Sequence, residues 1–102
     1  MAIKINILIV DDHPFIIEGY KNAINGYNKK GNYEFIITQA KDCKTGYEAI
    51  TNEGIEPFDV AFFDLSMPVY EEKNIFSGED LASLIKSNMP DCKIILLTMH
   101  TE

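Results

Sequence analysis

Four short apolar runs alternate with segments whose apolar residues recur at helical spacing, and this alternation limits the fold more than any other feature. The runs predict strands at residues 3–10, 34–40, 60–63 and 93–98. A strand–helix order repeated along the chain predicts one parallel sheet with right-handed crossovers. We therefore predict an α/β fold with an open parallel sheet.

The third run, at residues 60–63, is uninterrupted and ends on an acid. Its lack of alternation is typical of a strand that is buried on both faces. Asp64 follows directly, and Pro68 prevents the strand from continuing. Because ligands of open α/β sheets bind outside the carboxyl ends of the strands, the role of Asp64 is the central question.

Three helices are predicted between the strands. Pro14 suits the first turn of the first helix, and Thr45 and Ser77 are predicted N-caps of the second and third. The spacing predicts that the first helix faces the core with Ile16, Tyr20, Ala23 and Tyr27, and the third with Leu81, Leu84 and Ile85.

The composition argues against several classes of function. The net charge is −7, and all nine basic residues are lysines. Nucleic-acid readers depend on arginine forks and basic stripes, so we expect this segment to make no direct contact with nucleic acid. Cys43 and Cys92 form no CxxC pair and are expected to be reduced thiols. Without a signal peptide or an apolar run long enough to span a bilayer, the chain is expected to be cytoplasmic, with no membrane contact.

Polar residues lie at the ends of three predicted strands. Asp11 and Asp12 follow the first strand, Asp64 follows the third, and Thr98 ends the fourth. The carboxyl ends of parallel strands share one edge, and carboxylates gathered there repel one another by roughly 4 kcal/mol per close pair at an effective dielectric of 20. They must bind protons or cations, and oxygen ligands suit Mg²⁺. The sequence therefore predicts a Mg²⁺ site at this edge.

The same residues also permit simpler interpretations. Adjacent aspartates before a helix often only stabilise its N-terminus, and Thr98 can be a helix cap. Asp64 can be a metal ligand alone, or a nucleophile toward a phosphoryl group that the metal holds, with the Thr98 hydroxyl bonding a phosphoryl oxygen. His13, beside Pro14, is interpreted as a capping or surface residue rather than as a metal ligand.

Three stretches carry a specific combined signature, namely Val10-Asp11-Asp12-His13-Pro14, Asp64-Leu65-Ser66-Met67-Pro68 and Thr98. Their order and spacing, apart from one insertion, resemble the response regulator receiver domain of two-component signalling. The first stretch, followed by residues 15–19, resembles the NarL/FixJ-type branch. Receivers of that branch are usually joined to a C-terminal helix-turn-helix DNA-binding domain.

The resemblance implies a flavodoxin-like receiver fold and a role for each matched residue. Asp64 would accept a phosphoryl group from a sensor histidine kinase, in a phosphorelay that regulates transcription. Asp11, Asp12, Asp64 and the backbone carbonyl of Ser66 would bind Mg²⁺, and Thr98 would be the switch hydroxyl. The protein would then be no enzyme beyond self-catalysed phosphoryl transfer to Asp64 and slow autodephosphorylation.

Two of the chain's departures from the family pattern concern missing or inserted residues. The chain ends at Glu102, before a fifth strand and its phosphoryl-pairing lysine, so we interpret residues 1–102 as one receiver domain, incomplete at its C-terminus and truncated after the fourth strand. Lys93 starts the fourth strand and cannot replace that lysine. The unpaired fourth strand predicts self-association of the truncated chain. Residues 69–77 form an insertion before Gly78, interpreted either as a solvated loop or as a lid or partner-contact loop.

Two rival functions stay open from the sequence. A Mg²⁺-dependent phosphohydrolase with an aspartyl nucleophile usually has a second acid two residues later, where this chain has Ser66. A receiver-like interaction module that is never phosphorylated would keep the fold alone. The intact acid triad argues against such a module, whereas the missing lysine favours it.

Overall fold

Strands and helices alternate along the whole described part of the chain. The computed structural model describes residues 3–27, 31–52, 54–64, 71–73 and 78–97. The strands are β1 (Ile3–Val10), β2 (Tyr33–Ala40), β3 (Val60–Asp64) and β4 (Lys93–Leu97). The helices are α1 (Pro14–Tyr27), α2 (Cys43–Thr51) and α3 (Gly78–Asn88), with a short 3₁₀ turn at Glu71–Lys73. The predicted alternation is confirmed; β2 begins one residue earlier than predicted, and β3 includes Asp64.

The four strands form one parallel sheet in the order β2-β1-β3-β4. Val10 at the end of β1 pairs with Ala40 of β2 and with Phe63 of β3. Asp64 at the end of β3 pairs with Leu97 of β4. Because the carboxyl ends are in register, the residues that follow β1 and end β3 reach the same edge of the sheet, as the alternation predicted.

The larger core lies between the sheet and the pair of helices α2 and α3. Ala61 and Phe63 of β3 are completely buried there, as are Leu81 and Ile85 of α3. Burying one such large apolar side chain contributes roughly 1.5–3 kcal/mol. This core therefore holds the end of β3 firmly against α3.

The opposite face of the sheet is covered by α1 over β1 and β2. Ile17 of α1 is buried against Ile7 and Ile9 of β1. Tyr20 stacks on Phe62 with ring centroids 5.5 Å apart, but Phe62 stays only half-buried. The prediction that β3 is buried on both faces is therefore wrong for this face, because α1 packs to one side of β3.

The inward stripe of α1 differs from the predicted one. The side chains that pack on the sheet are those of Ile17, Tyr20 and Ile24, whereas Ala23 is exposed and Tyr27 keeps 87% of its surface exposed. The predicted period is right, but the inward stripe is rotated toward Ile17 and Ile24 by less than one residue step of about 100°, because Tyr20 belongs to both stripes. Because apolar residues occupy two neighbouring stripes of the helix, their spacing alone does not determine which stripe faces the sheet.

A capping box begins α2, one turn before the predicted cap. Asp42 is the N-cap, and its Oδ1 accepts a hydrogen bond from the backbone N of Thr45 at 2.8 Å. The Thr45 hydroxyl accepts one from the backbone N of Asp42 at 3.2 Å. Thr45 is therefore the third residue of the helix rather than its cap. The predicted cap of α3, Ser77, lies outside the described residues.

Both cysteines are free thiols. Burial raises the pKa of Cys43, and it raises the pKa of Cys92 to about 11. Among the described residues, no helix has the length and apolar character needed to cross a membrane.

Candidate functional site

The turn after β1 places two acids of different exposure side by side. Asp11 is only 1% exposed, and its backbone N donates a hydrogen bond to the Ala40 carbonyl at 2.9 Å, which extends the pairing of β1 with β2 by one residue. The side chain of Asp12 keeps 37% of its surface exposed. One carboxylate is thus fixed to the sheet, while the other is open to solvent.

Asp64 is the last residue of β3 and is 2% exposed. Its backbone pairs with Leu97 on one side of β3, and the preceding residue, Phe63, pairs with Val10 on the other. An interior strand therefore carries the Asp64 carboxylate to the same edge as Asp11 and Asp12.

His13 lies across these three acids. Its Nδ1 is 2.8 Å from Asp11 Oδ1, 2.9 Å from Asp12 Oδ1 and 3.6 Å from Asp64 Oδ2. Its backbone N also donates a hydrogen bond to Asp11 Oδ1 at 2.8 Å. The side-chain hydrogen bond to Asp11, followed by the charges of Asp12, Asp11 and Asp64, raises the pKa of His13 above its usual value despite partial desolvation. The imidazole therefore holds a proton more strongly than a free histidine side chain does.

The contact of His13 with the acids is a feature of the site that the sequence prediction missed. The ring is 47% exposed, so its placement at the surface was expected, but its contact with the acids was not. The available signal was electrostatic, since converging carboxylates require a positive charge nearby. A histidine two residues after Asp11 is a side chain suited to carry one.

The donor set at this edge fits a hard divalent cation. Asp11, Asp12, His13 and Asp64 each present a ligand atom, and these atoms lie within 4.8 Å of one another. Carboxylate oxygens are preferred ligands of Mg²⁺, which usually keeps several of its waters. Because the Asp12 side chain is partly exposed, such waters can reach the cation from that side of the site. The structure thus brings together the three acids for which the sequence predicted a metal role.

Two predicted site residues lie outside the described part of the chain. They are Ser66, with its proposed carbonyl ligand, and Thr98, with its proposed switch hydroxyl. The insertion at 69–77 is described only at Glu71–Lys73. The roles of these residues stay predictions.

A larger groove, of about 410 Å³, lies at the opposite edge, where the strands begin. Two of the acids that line it, Glu56 and Asp59, are engaged in local contacts. Glu56 Oε1 lies 2.7 Å from Lys4 Nζ, and Asp59 Oδ2 accepts a hydrogen bond from the backbone N of Asn6 at 2.8 Å. These contacts join the beginning of β1 to the segment before β3. A smaller cavity of about 270 Å³ is lined by Asp11 and Asp12 and so adjoins the acid cluster.

Sequence comparison matches this chain to one family. The model of the response regulator receiver domain matches residues 7–102. The transcriptional regulatory protein MctR of Rhizobium johnstonii is 27% identical over 97 residues, which cover 95% of this chain and 39% of that protein. The response regulator UvrY of Escherichia coli is 31% identical over 98 residues, which cover 96% and 39%. The chain thus spans about two-fifths of the length of these relatives.

Structural comparison agrees with the sequence match. RcsB from Salmonella enterica serovar Typhimurium, bound to the promoter rprA in the presence of the phosphomimetic BeF₃⁻, superposes with a TM-score of 0.68 at 26% identity, covering 96% of this chain and 72% of that one. A structure of two RcsB dimers bound to two parallel DNAs gives a TM-score of 0.67 at 26% identity, covering 95% and 43%. With the family model matched over residues 7–102, the chain belongs to the response regulator receiver domain family.

Proposed function

We propose that this receiver domain accepts a phosphoryl group on Asp64 from a sensor histidine kinase and acts as a Mg²⁺-dependent switch. The observation that carries the proposal is the convergence of the Asp11, Asp12 and Asp64 carboxylates at the carboxyl edge of the sheet. Membership of the receiver family supports the same role. Asp64 is the proposed acceptor because it begins the stretch Asp64-Leu65-Ser66-Met67-Pro68, which resembles the acceptor motif of the family. Burial alone does not choose between Asp64 and Asp11, since both are almost completely buried.

The proposed reaction transfers a phosphoryl group to a carboxylate oxygen of Asp64. The P–N bond of a phosphohistidine breaks, its electron pair stays on the imidazole, and a P–O bond forms to give an acyl phosphate. Asp11, Asp12, Asp64 and the Ser66 carbonyl are the proposed Mg²⁺ ligands. Bound Mg²⁺ supplies positive charge to the loose transition state of phosphoryl transfer.

The acyl phosphate is proposed to change the state of the domain through its added charge. Thr98, the proposed switch hydroxyl, donates a hydrogen bond to a phosphoryl oxygen and couples that charge to the backbone. MctR is named a transcriptional regulatory protein, and the RcsB structure holds a promoter together with a phosphomimetic. These relatives support a regulator of transcription. From the net charge of −7 and the absence of arginine we propose that this segment itself makes no contact with DNA, and a cytoplasmic location is part of the same proposal.

Phosphorylation by a small donor tests the assignment of Asp64. The purified protein is incubated with acetyl phosphate and Mg²⁺, and its intact mass is measured. One phosphoryl adduct is expected on the wild type and none on Asp64→Asn. The matched control is Asp59→Asn, which changes an acid just before the same strand and at the opposite edge of the sheet, and it should be modified like the wild type. An adduct on Asp64→Asn at the wild-type level would contradict the proposal.

The same incubation separates the rival functions. A phosphohydrolase would release inorganic phosphate over many turnovers, whereas the proposed switch, which is not an enzyme toward other molecules, retains a single adduct. An interaction-only module would acquire no adduct from acetyl phosphate. In a parallel incubation it would also show no response to beryllofluoride, a mimic of the phosphoryl group.

Thermal unfolding tests the Mg²⁺ site without phosphorylation. A cation that binds only the folded state stabilises it by about 2.7 kcal/mol at 100 times its Kd. The melting temperature of the wild type should therefore rise with added MgCl₂, and most of that rise should be lost in Asp12→Asn. Asp91→Asn, which changes an exposed acid just before β4, is the control and should keep it. Equal responses of Asp12→Asn and the wild type would show that this acid does not bind the cation.

A further inference from the structure

The first residue of α3, Gly78, lies against the backbone of Asp64. A Cβ atom built on Gly78 would be 2.5 Å from the Asp64 carbonyl oxygen and 3.2 Å from its carbonyl carbon. It would also be 3.0 Å from Phe63 Cβ. The close approach of α3 to the end of β3 therefore depends on the absence of a side chain at position 78.

Neither partner in this contact can move without consequence. The end of β3 is paired on both sides, through Phe63 with Val10 and through Asp64 with Leu97. The helix is held by Leu81 and Ile85, which are completely buried. A side chain at position 78 would meet backbone rather than the tip of a flexible side chain, so either the helix or the residue that carries the carboxylate must shift.

Resting on the proposed function, we infer that Gly78 is a positioning residue for the phosphoryl acceptor. It lets the first turn of α3 lie against the Asp64 carbonyl group and so fixes the backbone from which the carboxylate extends. Gly78 does not touch the phosphoryl group. A displacement of about 1 Å at a reacting group can lower a rate on the order of 100-fold, so a methyl group at position 78 should affect the reaction far more than the fold.

The chain offers a matched control in the same core. Gly46 is a buried residue of α2, and a Cβ there would lie 3.0 Å from Leu81 Cδ1 and 3.3 Å from Val10 Cγ1. Both glycines are helical without a positive φ, so Ala brings neither of them backbone strain. At position 46 the added methyl group would crowd side chains, whereas at position 78 it would crowd the backbone of Asp64.

The experiment compares the wild type, Gly78→Ala and Gly46→Ala by urea unfolding and by the rate of modification with acetyl phosphate at saturating Mg²⁺. We expect Gly46→Ala to react within about twofold of the wild type and Gly78→Ala to react on the order of 100-fold more slowly while still folded. A wild-type rate in folded Gly78→Ala would overturn the inference. An equal loss in both variants would also overturn it, because the effect would then belong to core packing.

Two further outcomes keep the test decisive. If the wild type itself is not modified, the proposed function fails and the role of Gly78 fails with it. If Gly78→Ala unfolds while Gly46→Ala folds, the measurement is repeated in trimethylamine N-oxide, which favours the compact state. Slow reaction of the refolded variant supports the inference. Continued failure to fold contradicts it, because position 78 would then serve the fold as a whole.

Discussion

At the scale of single residues, the Asp42 cap links the stability of the protein to pH. Replacing an N-cap Asp with Ala costs about 1 kcal/mol at neutral pH. The backbone hydrogen bond from Thr45 lowers the pKa of Asp42 below its ordinary value of 3.8. The contribution of the cap is therefore present above the unfolded pKa and is lost as the pH falls through the folded one.

Urea unfolding of Asp42→Ala measures this dependence. The difference in unfolding free energy between the wild type and Asp42→Ala should shrink from pH 7 to about pH 3. The control is Lys86→Ala, which changes an exposed residue of α3 far from the cap, and its difference from the wild type should stay constant over the same range. A difference for Asp42→Ala that is equally constant would contradict the role of the ionised cap.

The environment of the site residues was harder to predict than their convergence. Asp11, Asp12 and Asp64 are brought together because parallel topology assigns strand ends to one edge, which can be deduced from the order of elements. The near-complete burial of Asp11 and the exposure of Asp12 depend on packing around the turn. The contact of His13 with the acids depends on a side-chain rotamer, which adjacency in sequence does not specify.

At the scale of elements, the helices differ in how strongly they are anchored. Within the described residues, α3 buries Gly78, Leu81, Ala82 and Ile85, whereas α1 buries only Ile17. Periodicity predicted both helices, but it did not predict this difference. The reason is that anchoring depends on the area of sheet each helix covers, and α1 leaves the Phe62 side of β3 partly open.

Hydrogen exchange should reveal this difference in anchoring. Local opening is easiest where few apolar side chains are buried. The backbone amides of α1 are therefore expected to exchange at least ~10-fold faster than those of α3, corresponding to an opening free energy lower by about 1.4 kcal/mol. Exchange followed by mass spectrometry in metal-free buffer measures both helices in one sample. Equal protection of the two helices would show that α1 is held by more than its contacts with the sheet.

At the scale of the whole molecule, the fold class and the parallel direction of the strands follow from the alternation of elements, but the strand order and the state of the sheet edges do not. Within the described residues, β4 pairs only with β3, and its side chains Ile95 and Leu96 are 42% and 43% exposed. Ile95 is in register with Phe62, on the face that α1 covers only in part. An apolar edge of this kind is suited to pairing with another strand.

We propose that the chain of residues 1–102 self-associates through β4. Lysine on an edge strand opposes strand pairing, so Ile95→Lys should shift the protein toward the monomer in light scattering at micromolar concentration. Ile36→Lys is the matched control, because Ile36 is 36% exposed on the other edge strand, β2, and it should leave association unchanged. A monodisperse monomer of the wild type would refute the proposal. If Ile36→Lys but not Ile95→Lys gave a monomer, the chain would associate through β2 instead.

The contact between Gly78 and the Asp64 backbone also separates two kinds of sequence change. It holds together Asp64 and Gly78, the two residues that flank positions 65–77, so these two anchors do not depend on how many residues lie between them. The entropic cost of closing a loop grows by only about 0.6 kcal/mol for each doubling of its length. Insertions beside Glu71–Lys73, whether acquired in evolution or added as an engineered reporter, are therefore expected to leave the acceptor carboxylate in place. The chain thereby has a position shortly after its proposed acceptor in sequence where residues can be added without a change in the sheet.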